Sequence, residues 1–180
     1  MGFIMANAAN IRMSSALAGG ALMDIGVYPV SLARMVAKER PLQVSAFAQW
    51  ADSGVDRSLA ATIEFPDGLF AQIGCSFSTL TYRQALIAGS EAIVQTTFTN
   101  NPAPPVLYLR RGGDRSVETL EVPAPNGFLA EAESFERLVR QGPDYWNGAT
   151  PEESIDIMLT VEALLESARS GKPVRIDPSR

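Results

Sequence analysis

No histidine occurs among the 180 residues, and that single absence removes imidazole general bases, the Ser-His-Asp and Cys-His catalytic constellations and the commonest zinc ligand. Cysteine is nearly as scarce. Cys75 stands alone, so no internal disulfide can form, and its position in an apolar alternating run marks it as a buried, inert thiol. No apolar run approaches the roughly 18 residues that read as a membrane span, and no basic segment ahead of an apolar one signals a secretory leader. Fifteen basic against twenty acidic side chains leave a formal charge of -5. The densest basic run is the pair Arg110 and Arg111, too little to meet a phosphate backbone. With 46% apolar and 19% charged residues, a chain of this length buries about 70% of its unfolded surface. These features predict a soluble, cytoplasmic, globular protein forming a single domain over residues 1–180, with neither nucleic acid nor membrane as partner.

From Gly20 to about Lys38, Leu22, Ile25, Leu32, Met35 and Val36 recur at spacings near three and four, the pattern of an amphipathic helix that begins after Gly19 and Gly20. Asp24, Gly26 and Pro29 oppose a helix interior, so a kink is expected there. Beyond Pro41 the pattern alternates. A strand through Val44, Ala46 and Ala48 is followed by a hairpin with Leu59, Ala61, Ile63 and Phe65 on one face, a Pro66-Asp67-Gly68 turn, and Leu69, Ala71, Ile73, Cys75 and Phe77 on the return strand. The opposite face, with Ala60, Phe70 and Gly74 among polar residues, is free to meet another subunit. Two further strand pairs are expected, over 84–88 with 93–98 and over 106–110 with 116–122. Pro102, Pro104 and Pro105 mark a surface loop. Helices are expected over 128–140 and from Thr150 to near Gly171, the latter with a buried stripe of Ile155, Met158, Leu159, Val161, Leu164 and Leu165. A short strand at Pro173 to Ile176 ends the pattern. The fold class is α+β, a large, open, mostly antiparallel sheet with helices packed on one face.

Asp24 and Tyr28 are four apart and share a helix face. A carboxylate beside a phenol can handle a proton at an alcohol or carbonyl oxygen, provided a cation lowers the phenol from its ordinary value near 10. The same spacing also suits an aspartate that caps a broken helix and a tyrosine that packs at the surface. Trp50, Tyr145 and Trp146 read as packing aromatics, and Glu131, Glu133 and Glu136 as a solvated helix face. Met5, Met13 and Met23 read as adaptable packing near the N-terminus.

The stretch from Ala18 to Pro29, Ala-Gly-Gly-Ala-Leu-Met-Asp-Ile-Gly-Val-Tyr-Pro, resembles a motif of the Gfo/Idh/MocA oxidoreductases. The resemblance extends to Ala9-Asn10-Ile11-Arg12, to Gly89-Ser90-Glu91-Ala92 and to the closing run from Glu152 to Val174. It implies the second, C-terminal domain of an enzyme that moves hydride between NAD or NADP and a sugar, polyol or dihydrodiol carbon. It also implies that Asp24 orients substrate, that Tyr28 is the acid/base, and that Asn10 and Arg12 flank the same pocket. Arg12 equally suits a surface role. Tyrosine at position 28 resembles the branch of glucose-fructose oxidoreductase and the dihydrodiol and xylose dehydrogenases. Family members also pair sheet to sheet, which supports a homo-oligomer formed through the helix-free face.

The departure from that pattern is large. No Gly-x-Gly-x-x-Gly opens a helix after a strand, and the only lysines, Lys38 and Lys172, do not match the family's catalytic Glu-Lys-Pro. The expectation is therefore a substrate-binding and oligomerisation domain with no cofactor of its own and inactive alone, either a shortened form of such an enzyme or one half of a split enzyme that works with a separate nucleotide-binding domain. The alternative is a stand-alone, non-catalytic module for self-association or small-molecule binding.

Overall fold

The computed structural model describes residues 1–97, 106–113, 116–121 and 126–177. In chain order the elements are β1 (Gly2–Ile4), short 3-10 turns over Ile11–Met13 and Ser15–Leu17, a π-helical turn over Leu22–Gly26 and α1 (Val27–Ala37). They are followed by β2 (Gln43–Trp50), β3 (Asp56–Glu64), β4 (Phe70–Ser76), β5 (Ser78–Tyr82), β6 (Gln84–Ala88), β7 (Ala92–Thr97), β8 (Val106–Arg111) and β9 (Glu118–Glu121). Then come α2 (Gly127–Gln141), α3 (Pro151–Ser170) and β10 (Val174–Arg175). The expected proline loop, together with Phe98, Asp114 and Val122, lies outside the described residues.

The chain forms two compact units, one of Met1–Tyr82 with Pro151–Arg180 and one of Arg83–Thr150. The first holds a six-stranded sheet in the order β10-β2-β3-β4-β1-β5, and the second a four-stranded antiparallel sheet, β6-β7-β8-β9. The α+β class stands, and the strands divide between two sheets. Within the first sheet lies β1, which sequence pattern alone did not mark. It inserts beside β4 in parallel, with Gly2 opposite Ser76, and takes β5 on its other side in antiparallel. β4 and β5 therefore do not pair with each other although they adjoin in sequence.

The hairpin forms as its alternation predicts. β3 and β4 pair from Ser58 opposite Ser76 to Glu64 opposite Phe70, and Asp67 and Gly68 take the positive φ values, 59° and 76°, that the turn requires. Leu59, Ala61, Ile63 and Phe65, with Ile73, Cys75 and Phe77, are buried against Leu22, Ile25, Val30, Ile157, Val161 and Leu164. The core of this unit thus lies between the six-stranded sheet and the helices. The short β10 leaves part of β2 unpaired, and Ser167 on α3 covers it: its Oγ accepts from Ala46 N–H at 3.0 Å and donates to the Lys172 carbonyl at 2.7 Å.

Two buried stripes differ from expectation. In α1, Met35 and Val36 are exposed while Val30 and Ala33 are buried. The π turn adds a residue to the repeat and advances the apolar face by one position. In α3, Ile155 and Met158 are exposed, whereas Asp156, Ile157, Thr160, Val161, Ala163, Leu164 and Ser167 are buried. Polar side chains with internal partners occupy the face that apolarity alone assigned elsewhere. Asp156 meets Arg40 Nε at 2.6 Å and Arg34 Nε at 3.2 Å, and Thr160 Oγ1 donates to the Asp156 carbonyl at 2.6 Å.

A window of 18 residues within Ser15–Ala37 reaches a mean hydropathy of 1.4, but the segment is no continuous span. Ala18 at φ 52° and Gly20 at φ 125° break it, and the helix that follows falls short of the roughly 20 residues needed to cross a bilayer.

Candidate functional site

Asp24 lies in the middle of the π-helical turn, and Tyr28 is the second residue of α1. The kink expected from Gly26 and Pro29 takes this form. Val27 N–H donates to the Leu22 carbonyl, five residues back, so the ladder widens just ahead of a proline that has no N–H to give. Gly26 is required by close packing, since a Cβ there would lie 2.7 Å from Leu22 Cδ1 and 3.0 Å from Cys75 Sγ. The π turn therefore presses onto β4. A wider turn also rotates the chain less per residue, so side chains four apart come more nearly into line than the roughly 40° of an α-helix.

Arg12 and Asn10 reach the same place from the preceding loop. Gly20 N–H donates to the Arg12 carbonyl at 2.8 Å and Gly19 N–H to the Ser14 carbonyl at 2.9 Å, which ties the 3-10 turns to the glycine pair. Asn10 Oδ1 accepts from Arg12 N–H at 3.0 Å and so caps the first of those turns. Arg12 Nε then donates to Asp24 Oδ1 at 2.7 Å, with the arginine side chain 42% and the aspartate side chain 22% exposed. Asn10, Arg12 and Asp24 thus form one linked group. Tyr28 is 61% exposed, one turn further along. Ile11, Leu17 and Met23 are also exposed.

Sequence reasoning missed Asp56. It begins β3, is 2% exposed, and accepts Leu22 N–H on Oδ2 at 2.6 Å. Burial pushes its carboxyl up from 3.8 to about 6, against hydrogen bonds from the Leu22, Asp56 and Ala21 amides and the charge of Arg169. Gly20, at φ 125°, packs directly on its Oδ1, where a Cβ would collide. The only sequence signal was an aspartate opening an otherwise alternating strand. Burial also pushes the Cys75 thiol up to about 12, consistent with an inert core residue.

The other candidates behave as packing. Arg169 stacks over Trp50 with 5.3 Å to the ring centroid, and Trp146 Nε1 donates to the Ala149 carbonyl at 2.9 Å. Glu136 pairs with Arg140 at 2.8 Å along α2. Met5 and Met13 pack against the core. Neither Asp24 nor Tyr28 lines the concavity of about 440 Å³ beside Glu162 and Arg169 in the first unit or that of about 480 Å³ beside Glu91 and Arg111 in the second.

The glycine-rich turn does not fit a dinucleotide. A pyrophosphate cradle needs open N–H groups at a helix start, but Asp56 takes the Leu22 N–H and brings a carboxylate to that position. Gly112 N–H is likewise taken, by the Glu91 carbonyl at 2.6 Å.

The profile of the GFO/IDH/MocA C-terminal domain matches residues 3–95, about half of the chain. The chain belongs to this family. The D-xylose 1-dehydrogenase (NADP(+)) 2 of Haloferax volcanii is 29% identical over 173 residues, covering 93% of this chain and 51% of that protein. The dTDP-3,4-didehydro-2,6-dideoxy-alpha-D-glucose 3-reductase of Saccharopolyspora spinosa is 32% identical over 167 residues, covering 88% and 48%. Among solved structures, aldose-aldose oxidoreductase from Caulobacter crescentus, complexed with glycerol, superposes with a TM-score of 0.84 at 24% identity, over 97% of this chain and 53% of that one. The likeness to that structure establishes the fold. This GFO/IDH/MocA chain spans about half the length of the curated relatives it matches along nearly all of its own length.

Proposed function

We propose that this chain supplies the substrate-binding and self-association part of an NAD(P)-dependent oxidoreductase acting on the CH–OH group of a sugar, polyol or dihydrodiol, and that a separate domain grips the nucleotide. The observation that carries the reading is the pair in which Arg12 meets Asp24 of the π turn at 2.7 Å, one turn from an exposed tyrosine. Arg12 fixes one carboxylate oxygen of Asp24 and leaves Oδ2 to accept from a substrate hydroxyl, which orients the carbon that reacts. The Tyr28 hydroxyl then holds or takes up the proton at the neighbouring oxygen. Asn10 sets the turn from which Arg12 reaches. Arg12 is committed to Asp24, so the cation that makes the phenol competent at neutral pH comes from the partner domain, and the chain alone does not turn over.

Two measurements test this. Titration of the chain with reduced NADP, followed by fluorescence, is expected to show no saturable binding below about 1 mM; micromolar affinity would overturn the division of labour. Joined to the nucleotide-binding domain of a relative, the chain is expected to support aldose- or diol-dependent NADP reduction, with kcat falling about 100-fold or more in Tyr28→Phe. An undiminished rate in that variant removes Tyr28 from the chemistry. No turnover in any such fusion favours the stand-alone binding module instead.

A further inference from the structure

The helix that carries Asp24 and Tyr28 has no capping side chain of its own: Ala21 stands at its N-cap position. Its first amides would be buried and unpaired, because Ala21 and Leu22 are fully buried. The carboxylate that meets them comes from another element, 34 residues further along the chain, where Asp56 Oδ2 accepts Leu22 N–H at 2.6 Å. Gly20 closes the arrangement from the other side, since only a residue without Cβ leaves room for Oδ1, and its N–H is held by the Arg12 carbonyl at 2.8 Å. One buried carboxylate thus adjoins the glycine that anchors the Arg12 loop and the amide that starts the π turn. Asp24 is two residues beyond that amide.

We infer that Asp56 is a positioning residue for the candidate site: by pinning the start of the π turn to β3 it sets where Asp24 meets Arg12 and how Tyr28 is presented. This rests on the reading of Asp24 and Tyr28 as the reacting face, but its test is independent of turnover. The test uses the whole chain with Asp56→Asn, which keeps the size and removes one acceptor. Amide exchange of residues 21–25 is expected to accelerate about tenfold while β3 and β4 amides change less than about twofold. The Arg12 Nε–H resonance, identified by its loss in Asp24→Asn, is expected to shift toward that of a free guanidinium. Asp56→Glu, which restores both oxygens, is expected to recover part of that shift. Uniform acceleration across the chain, an unmoved Arg12 resonance, or failure of both variants to fold would overturn the proposal by making Asp56 a general core residue. The expected shift of the Arg12 resonance in Asp56→Asn together with undiminished turnover of Tyr28→Phe in the fused enzyme would instead leave the positioning intact and remove the proposed chemistry.

Discussion

At the scale of single residues, the buried carboxyl of Asp56 has a consequence for pH. Its folded-state value is raised from 3.8 to about 6, so the folded chain holds that proton more tightly than the unfolded one. By linkage, its contribution to stability is full below about pH 4 and is lost as pH rises through about 6. The shift corresponds to about 3 kcal/mol at most. The charge that acts on it is that of Arg169 from α3, which opposes the rise. Urea unfolding at a series of pH values is expected to show a decline between pH 4 and 6 in the wild type relative to Asp56→Asn, with the difference constant above about pH 7. A difference that stays constant from pH 4 to 7 would contradict the raised carboxyl. Nothing in the strand pattern announced this, because burial of an aspartate depends on which amides meet it, and those lie on a distant segment.

At the scale of elements, α1 and α3 are held together by charge within an apolar layer. Asp156 has a side chain 4% exposed and faces Arg34 and Arg40, whose side chains are 13% and 33% exposed. Removing the carboxylate takes a shared partner from two guanidinium groups in a partly desolvated site, where Glu153 also lies 3.9 Å from Arg34. Asp156→Ala is therefore expected to cost about 3–5 kcal/mol, read as a fall in the denaturation midpoint at unchanged slope. Replacing exposed Glu152 at the start of the same helix should cost less than about 1 kcal/mol. The same interaction explains why the α3 stripe departed from its hydrophobic pattern: a stripe counted from apolar residues omits polar side chains that bring their own partners inside. In α1 the cause is backbone and not side chain, since the π turn shifts the phase by one residue and exposes Met35 and Val36.

At the scale of the whole molecule, the helix-free face of the six-stranded sheet carries the prediction on assembly. Phe47, Ala60 and Gly74 lie opposite one another across β2, β3 and β4, with Phe47 77% and Phe70 60% exposed. We expect a two-fold dimer through this face. Light scattering should report a dimer for the wild type and a monomer for Phe47→Asp, and a wild-type monomer at tens of micromolar would contradict it. Alternation of period two and the turn chemistry of Pro66-Asp67-Gly68 determine the hairpin and its buried face by themselves, because both are properties of neighbouring residues. The helix limits and the Asp-x-x-x-Tyr spacing are local in the same sense. Tertiary structure alone decided that β1 separates β4 from β5, that Asp56 reaches back to Leu22, and that Arg12 closes on Asp24. Each of these joins segments distant along the chain, and no local period or propensity encodes which of many polar groups will find one another once the apolar core has formed.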